Sequence, residues 1–151
     1  MGQEETAKLE EGDCLKLDFA RLARLGAQGQ QIVPVAIQNA DSLELLYVAY
    51  VNEEALRETL HTSRVVLWST SRNQLWRKGE TSGDVLNLVE VRINCEQNSL
   101  LYLVRPAKTG ACHTRDARGN TRPSCYYRRL AFANGSIQLE HLSEATIPNP
   151  V

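Results

Sequence analysis

Three cysteines, Cys95, Cys112 and Cys125, lie in the second half of the chain, and a histidine directly follows the middle one in Gly110-Ala111-Cys112-His113-Thr114. They are seventeen and thirteen residues apart, so no Cys-x-x-Cys pair joins any two of them locally. Separate elements must gather them. Three thiolates brought together in this way bind zinc and leave one of its four tetrahedral positions open, the mark of a catalytic zinc that holds a reactive water. The competing reading is three inert buried thiols, since free cysteine is among the most buried residue types.

A second chemistry-bearing stretch runs from Trp68 to Gly83. It holds both tryptophans of the chain, the cations Arg72, Arg77 and Lys78, several hydroxyls, and Gly79 and Gly83. Arginine, lysine and backbone amides freed by glycine are what phosphate groups require, and a tryptophan face stacks on a purine. The same composition also suits a turn-rich surface hairpin with a solvated charge run. Of the three histidines, His113 is the candidate for proton transfer because of its neighbour. His61 and His141 are expected to be structural.

Bulk properties narrow the classes. The chain has 151 residues, 42% hydrophobic and 23% charged, and a net charge of −1. This predicts one globular domain with a real core. It argues against a nucleic-acid footprint, which needs a basic surplus. No apolar run approaches the ~20 residues that span a bilayer, and the polar, acidic start from Met1 to Glu11 lacks a signal-peptide core. Four cysteines without such a signal read as reduced cytoplasmic thiols, Cys14 being a bystander. Met1-Gly2-Gln3-Glu4-Glu5-Thr6 fits a loose myristoylation pattern, but with no basic patch beside it the match is discounted.

The elements that must position these residues read as α+β, dominated by a mostly antiparallel sheet with a few short helices. Residues 1–13 are expected to be a flexible lead-in, 14–142 a single domain and 143–151 an irregular tail. Helical spacing covers Leu15 to Leu25, with Gly26 as the stop. Ile32 to Ile37 reads as a strand that Pro34 places at a sheet edge. Leu43 to Val51 reads as a strand buried on both faces, and Asn52 caps a short helix running to His61. Val65 to Ser69, Val85 to Cys95 and Ser99 to Val104 are further strands, with Val85, Asn87, Val89, Val91 and Ile93 on one face. Asn134-Gly135 predicts a hairpin between Tyr126–Phe132 and Ile137–Leu142. The cysteines then fall at a strand end, in a loop and at a strand start.

Trp68-Ser69-x-Ser71-Arg72-x-x-x-Trp76-x-Lys78-Gly79-Glu80-Thr81-Ser82-Gly83 resembles the signature of the phosphoribosyl-AMP cyclohydrolase family of histidine biosynthesis. The resemblance extends over Ala49-Tyr50-Val51-Asn52-x-Glu54-Ala55-Leu56, the block around Cys95, Cys112-His113-Thr114 and Ser124-Cys125-Tyr126-Tyr127-Arg128. It implies hydrolysis of the N1–C6 bond in an adenine that carries a phosphoribosyl group on N1. Alkylation at N1 makes C6 electrophilic, and water on zinc becomes a nucleophile near neutral pH. His113 would carry the proton. Ser69, Arg72, Trp76, Lys78, Glu80, Thr81, Ser82 and Gly83 would bind the nucleotide. The resemblance further implies a homodimer in which Cys95 comes from one chain and Cys112 with Cys125 from the other.

Two departures qualify it. The family's Asp-Cys-Asp-x-Asp, whose aspartates serve magnesium, is here Asn94-Cys95-Glu96-Gln97-Asn98. Read as an extended segment, Asn94, Glu96 and Asn98 face a common point, but one carboxylate and two neutral amides suit magnesium poorly. Next, Arg115 replaces a glycine after Cys-His-Thr and Asp116 to Pro123 are inserted, adding Arg115, Arg118 and Arg122. Longer loops cost little, so zinc binding is expected to survive. The alternatives are a divergent zinc-dependent nucleotide or nucleobase hydrolase, and a non-catalytic zinc-stapled nucleotide-binding dimer. Residues 129–151 are too few for the enzyme often fused to this family, which predicts a monofunctional chain in the cytoplasm.

Overall fold

The computed structural model describes residues 2–15, 17 and 19–142. The elements are α1 (Gln3–Glu11), α2 (Arg21–Ala27), β1 (Val33–Asn39), β2 (Leu45–Val51), α3 (Glu53–Thr62), β3 (Val66–Ser69), β4 (Gln74–Arg77), β5 (Leu86–Ile93), β6 (Leu100–Pro106), β7 (Arg128–Ala133) and β8 (Ser136–His141). They form two compact units, Leu22–Cys125 and the pair of segments Met1–Arg21 and Tyr126–Val151. The expected tail over 143–151 lies outside the described residues.

In the larger unit four strands pair in the order β2-β1-β6-β5, and β3 pairs with β4. All pairs are antiparallel except β1 with β6, so the α+β, mostly antiparallel expectation holds. Pro34 is not at an edge, because β1 is central. It is tolerated there because the β6 ladder begins only at Val35 and residue 34 lies outside it. The true edges are β2 and β5. Accordingly β2 is not buried on both faces: Leu46, Tyr47 and Val51 are buried whereas Leu45 and Val48 are exposed. Along β5 the register shifts between Leu88 and Glu90, a bulge that breaks the period of two. Of the residues expected to share one face, Val89 and Ile93 are exposed, and Leu86 of β5 is buried.

The core gathers Val35 and Ile37 of β1, Leu46 and Val51 of β2, Leu100, Tyr102 and Val104 of β6, and Val65, Val66 and Leu67 around β3. Asn52 caps α3 as expected, its side chain accepting from Ala55 N–H at 2.8 Å. One polar contact then fixes that helix to β3. Thr59, fully buried, donates its Oγ1 hydrogen to Val66 O (3.1 Å) and accepts from Val66 N–H (2.9 Å). The helix expected over Leu15 to Leu25 is shorter and later, since α2 begins at Arg21 and continues through Gly26. Phe19, meant for its apolar face, is 89% exposed.

The smaller unit consists of α1 and the β7–β8 hairpin, so the lead-in contains a helix. Asn134 (φ 52°) and Gly135 (φ 74°) form the turn, the pair of left-handed residues that a two-residue hairpin requires. The last carbonyls of α1 are met from the hairpin. Tyr127 donates to Glu10 O (2.8 Å), Arg128 to Leu9 O and Gly12 O (both 3.1 Å), and His141 Nε2 lies 3.1 Å from Glu11 O. His141 is thus structural, as expected. No helix among the described residues is long and apolar enough to cross a membrane.

Candidate active site

The β3–β4 hairpin and the turn after it build one wall of a cleft. Lys78 N–H donates to Val65 O (3.1 Å) and Gly83 N–H to Gly79 O (2.8 Å), folding residues 78–83 back over β3. Gly79 is required there. Its φ is +82°, and a Cβ would collide with the backbone of Asp84 and Val85. The cleft measures about 320 Å³ and is lined by Arg72, Trp76, Lys78, Glu80, Thr81 and Ser82, with His113 contributed from a separate loop. Six of the eight residues expected to bind a nucleotide therefore surround one cavity. Ser69 and Gly83 do not line it: the Ser69 hydroxyl accepts from Arg72 N–H (3.3 Å) and fixes the hairpin turn instead.

Among the three cations of the stretch the roles divide. Arg77 reaches across to Glu58 of α3 with two bonds, 2.6 and 2.9 Å, which commits it to holding β4 against the helix. Lys78 is only 6% exposed, and its Nζ lies 5.8 Å from the Trp76 ring centre. Burial pushes its pKa down, while the charges of Asp84, Cys125 and Cys112 pull it up. The cleft thus holds a buried cation beside an aromatic face.

Cys112 and Cys125 come together behind His113. Backbone bonds place them. Ala111 and Cys112 N–H both donate to Arg122 O (3.2 and 3.0 Å), and Cys125 N–H donates to Leu46 O (2.8 Å). The two sulfurs are hydrogen-bonded to each other. The Cys125 thiol hydrogen-bonds Cys112 and, with the Thr114 hydroxyl, the Thr114 N–H and the His113 charge, holds Cys112 down to about 5 against the opposing effect of burial. Cys125 is correspondingly raised, first by that same bond and then by desolvation. Thr114 Oγ1 lies 3.0 Å from Cys112 Sγ and Thr114 N–H 3.4 Å from it.

Cys95 does not join them within one chain: among the described residues no three His, Cys, Asp or Glu side chains gather as a metal-binding group. Cys95 sits exposed on the tight turn between β5 and β6, not on an extended segment. The turn closes because Asn94 Oδ1 accepts from Asn98 N–H (3.0 Å) and Ser99 N–H (2.9 Å), with Gln97 at φ 55°. Asn94 Nδ2 donates to Asn98 Oδ1 (2.7 Å), and Asn98 Nδ2 to Glu96 Oε2 (3.1 Å). The three side chains expected to face a common point instead bond to one another. The tip of the inserted loop likewise closes on itself, while its Arg122 end holds the Cys112 backbone. Asp116 Oδ1 accepts from Arg118 and Asn120 N–H (2.9 and 2.8 Å), and Arg115 donates to Gly119 O (3.0 Å). Arg115, Arg118 and Arg122 do not line the cleft.

Comparison with known proteins agrees with this geometry. The family model described as phosphoribosyl-AMP cyclohydrolase matches residues 47–127, over half of the chain and all of the cleft. The chain belongs to the phosphoribosyl-AMP cyclohydrolase family. Proteins of that name to which it is similar include those of Archaeoglobus fulgidus (50% identical over 99 residues, 66% of this chain and 85% of the relative), Alkalilimnicola ehrlichii (48% over 112 residues, 74% and 73%) and Brucella anthropi (44% over 121 residues, 80% and 80%). It is thus a member of a hydrolase family. Within this cyclohydrolase fold the sequence left one neighbour of the cysteines without a role, Thr114. Thr114 carried a signal in its spacing, a hydroxyl two residues beyond a thiol.

Proposed function

We propose that the chain hydrolyses phosphoribosyl-AMP at the N1–C6 bond of its adenine ring. The observation that carries this reading is a single cleft combining a tryptophan, a buried lysine and His113 beside a hydrogen-bonded pair of cysteines. Trp76 offers a face for the alkylated adenine. Arg72 and Lys78, with the hydroxyls of Thr81 and Ser82, suit its phosphate groups. The water oxygen ends on C6, the C6–N1 bond breaks and N1 leaves carrying a proton. His113, on the cleft wall, takes a proton from the water and returns one to N1.

The donor chemistry at Cys112 and Cys125 suits zinc: two adjacent sulfurs, with the Thr114 N–H and hydroxyl at Cys112 favouring its thiolate. Zinc held there and by Cys95 supplies Lewis acidity that makes water nucleophilic near neutral pH. Because Cys95 stands apart in its own chain, the reading takes it from a second copy in a homodimer. Exposed Leu45 and Val48 on β2 and Val89 and Ile93 on β5, the two sheet edges, support association. Magnesium is a poor fit at Asn94, Glu96 and Asn98, whose oxygens already accept from one another's amides and from the turn backbone. The reading assigns no step to it. The four cysteines are free thiols, in keeping with a cytoplasmic setting.

The test is an assay of purified protein on phosphoribosyl-AMP, following ring opening, together with its zinc content. About one zinc per chain and turnover that is lost with the metal are expected. Full activity in metal-free protein, or no turnover in zinc-loaded protein, refutes the proposal.

A further inference from the structure

The substrate proposed above carries two phosphate monoesters, one on each ribose limb, and the cleft is short of cations for both. Arg77 is committed to Glu58, and Glu80 sets a negative charge against the Arg72 and Lys78 that line the cleft. A further cation rests on the turn that forms the wall. Lys108, in the segment after β6, donates from Nζ to Ser82 O (3.5 Å). A Cβ on Gly83, at φ +79°, would come within 2.7 Å of that Nζ and 3.4 Å of Cε. Gly83, which does not line the cleft, thus keeps open the place that the ammonium takes. The turn itself has donors to spare. Among the described residues Thr81 N–H and Ser82 N–H donate to no protein group, and both lie between two glycines of positive φ, Gly79 and Gly83. Ser82 Oγ accepts from Asp84 N–H (3.2 Å), which leaves its own hydrogen to give.

We propose that Lys108 and the Thr81–Ser82 edge of the turn form the subsite for one of the substrate's two phosphate monoesters, the other falling to Arg72 and Lys78. This rests on the reaction proposed above. Successive backbone N–H groups in a turn make an anion-binding concavity, and the lysine supplies the charge that neutral amides lack. Its ammonium is a compact point charge with three donors on a flexible stem, and the long bond to Ser82 O engages one of them weakly. Lys108 touches no reacting atom, so its contribution falls on binding rather than on the chemical step. A nucleotide without the matching phosphate gains nothing from it. The subsite therefore sorts the doubly phosphorylated substrate from singly phosphorylated nucleotides such as AMP.

The experiment compares full-length, zinc-loaded wild-type protein with Lys108→Met and Lys108→Arg on three compounds. These are phosphoribosyl-AMP, its analogue without the phosphate on the N1 limb, and its analogue without the phosphate of AMP. Each analogue is measured as a substrate or, failing turnover, as a competitive inhibitor. Lys108→Met should raise KM for phosphoribosyl-AMP about tenfold with kcat within about twofold, and Lys108→Arg should restore most of the loss. Against the analogue that lacks the phosphate held by Lys108, Lys108→Met and wild type should bind alike, while the other analogue keeps the tenfold penalty. That asymmetry identifies which limb the subsite takes. A penalty equal across all three compounds would make Lys108 a brace for the turn and overturn the proposal, as would an unchanged KM for phosphoribosyl-AMP. Wild-type protein that turns over none of the compounds refutes the reaction itself, a result distinct from an active enzyme indifferent to residue 108.

Discussion

His113 stands on the cleft wall, next in sequence to a buried sulfur, and its role separates from that sulfur's by mutation. His113→Asn should lower kcat by about 10²–10⁴-fold, the range for removal of a positioned proton carrier, with zinc content unchanged. Joint loss of zinc and activity would make it a prop for the metal instead. Cys112→Ser should strip the zinc and abolish turnover. The cysteine pair also sets a pH dependence. With Cys112 lowered to about 5 and Cys125 raised above the ordinary thiol range, the pair holds one proton throughout the neutral range, and zinc must displace it. Apparent zinc affinity should therefore gain about tenfold per pH unit from this pair between pH 6 and 8, measurable by chelator competition. At this scale the sequence was legible where chemistry is local: six of the residues expected to bind a nucleotide lie within eleven positions and close on one cleft. It was silent on the Cys125 N–H bond to Leu46 O, because strand packing, not spacing, decides which part of β2 meets Cys125.

The helix α3 depends on one threonine for its seat on β3. Thr59→Val preserves shape but leaves Val66 N–H and C=O without their partner, and should cost about 2–3 kcal/mol of stability by denaturant titration. Cost below ~0.5 kcal/mol would mean that the backbone finds another partner. The β5–β6 turn makes a different prediction. Its amide network exists because Asn94 and Asn98 each donate as well as accept, which carboxylates cannot do. Asn94→Asp with Asn98→Asp should loosen the turn in the absence of ions and strengthen magnesium binding, as read by titration calorimetry. Tight stoichiometric binding by the unmodified chain would contradict this account. Elements governed by local rules were readable: the Asn52 cap and the Asn134-Gly135 turn need only a few neighbouring residues. Pro34 and the β5 alternation misled for a common reason. Whether a proline is tolerated, or a period-two face points inward, depends on which strand lies alongside and where its ladder begins.

For the molecule as a whole, a metal site completed by a second copy has a signature that no single-chain site shares. Mixing Cys95→Ser with Cys112→Ser chains puts both lesions in one site of a heterodimer and neither in the other. Activity should return toward half that of the wild-type dimer for each heterodimer formed, and zinc should return with it. Subunit exchange without recovery would place all three ligands in one chain. The helix α1 raises a matter of timing. Its closing carbonyls are met by Tyr127, Arg128 and His141, and the Glu10–Tyr127 bond spans 117 residues. A nine-residue helix is marginal in water on its own. At 5–20 residues per second of synthesis, Glu10 precedes its partner by about 6–23 s. A helix made early in the synthesis of this stretch is thus secured late, and in the nascent chain the interval belongs to whatever factors guard a segment still waiting for its partner.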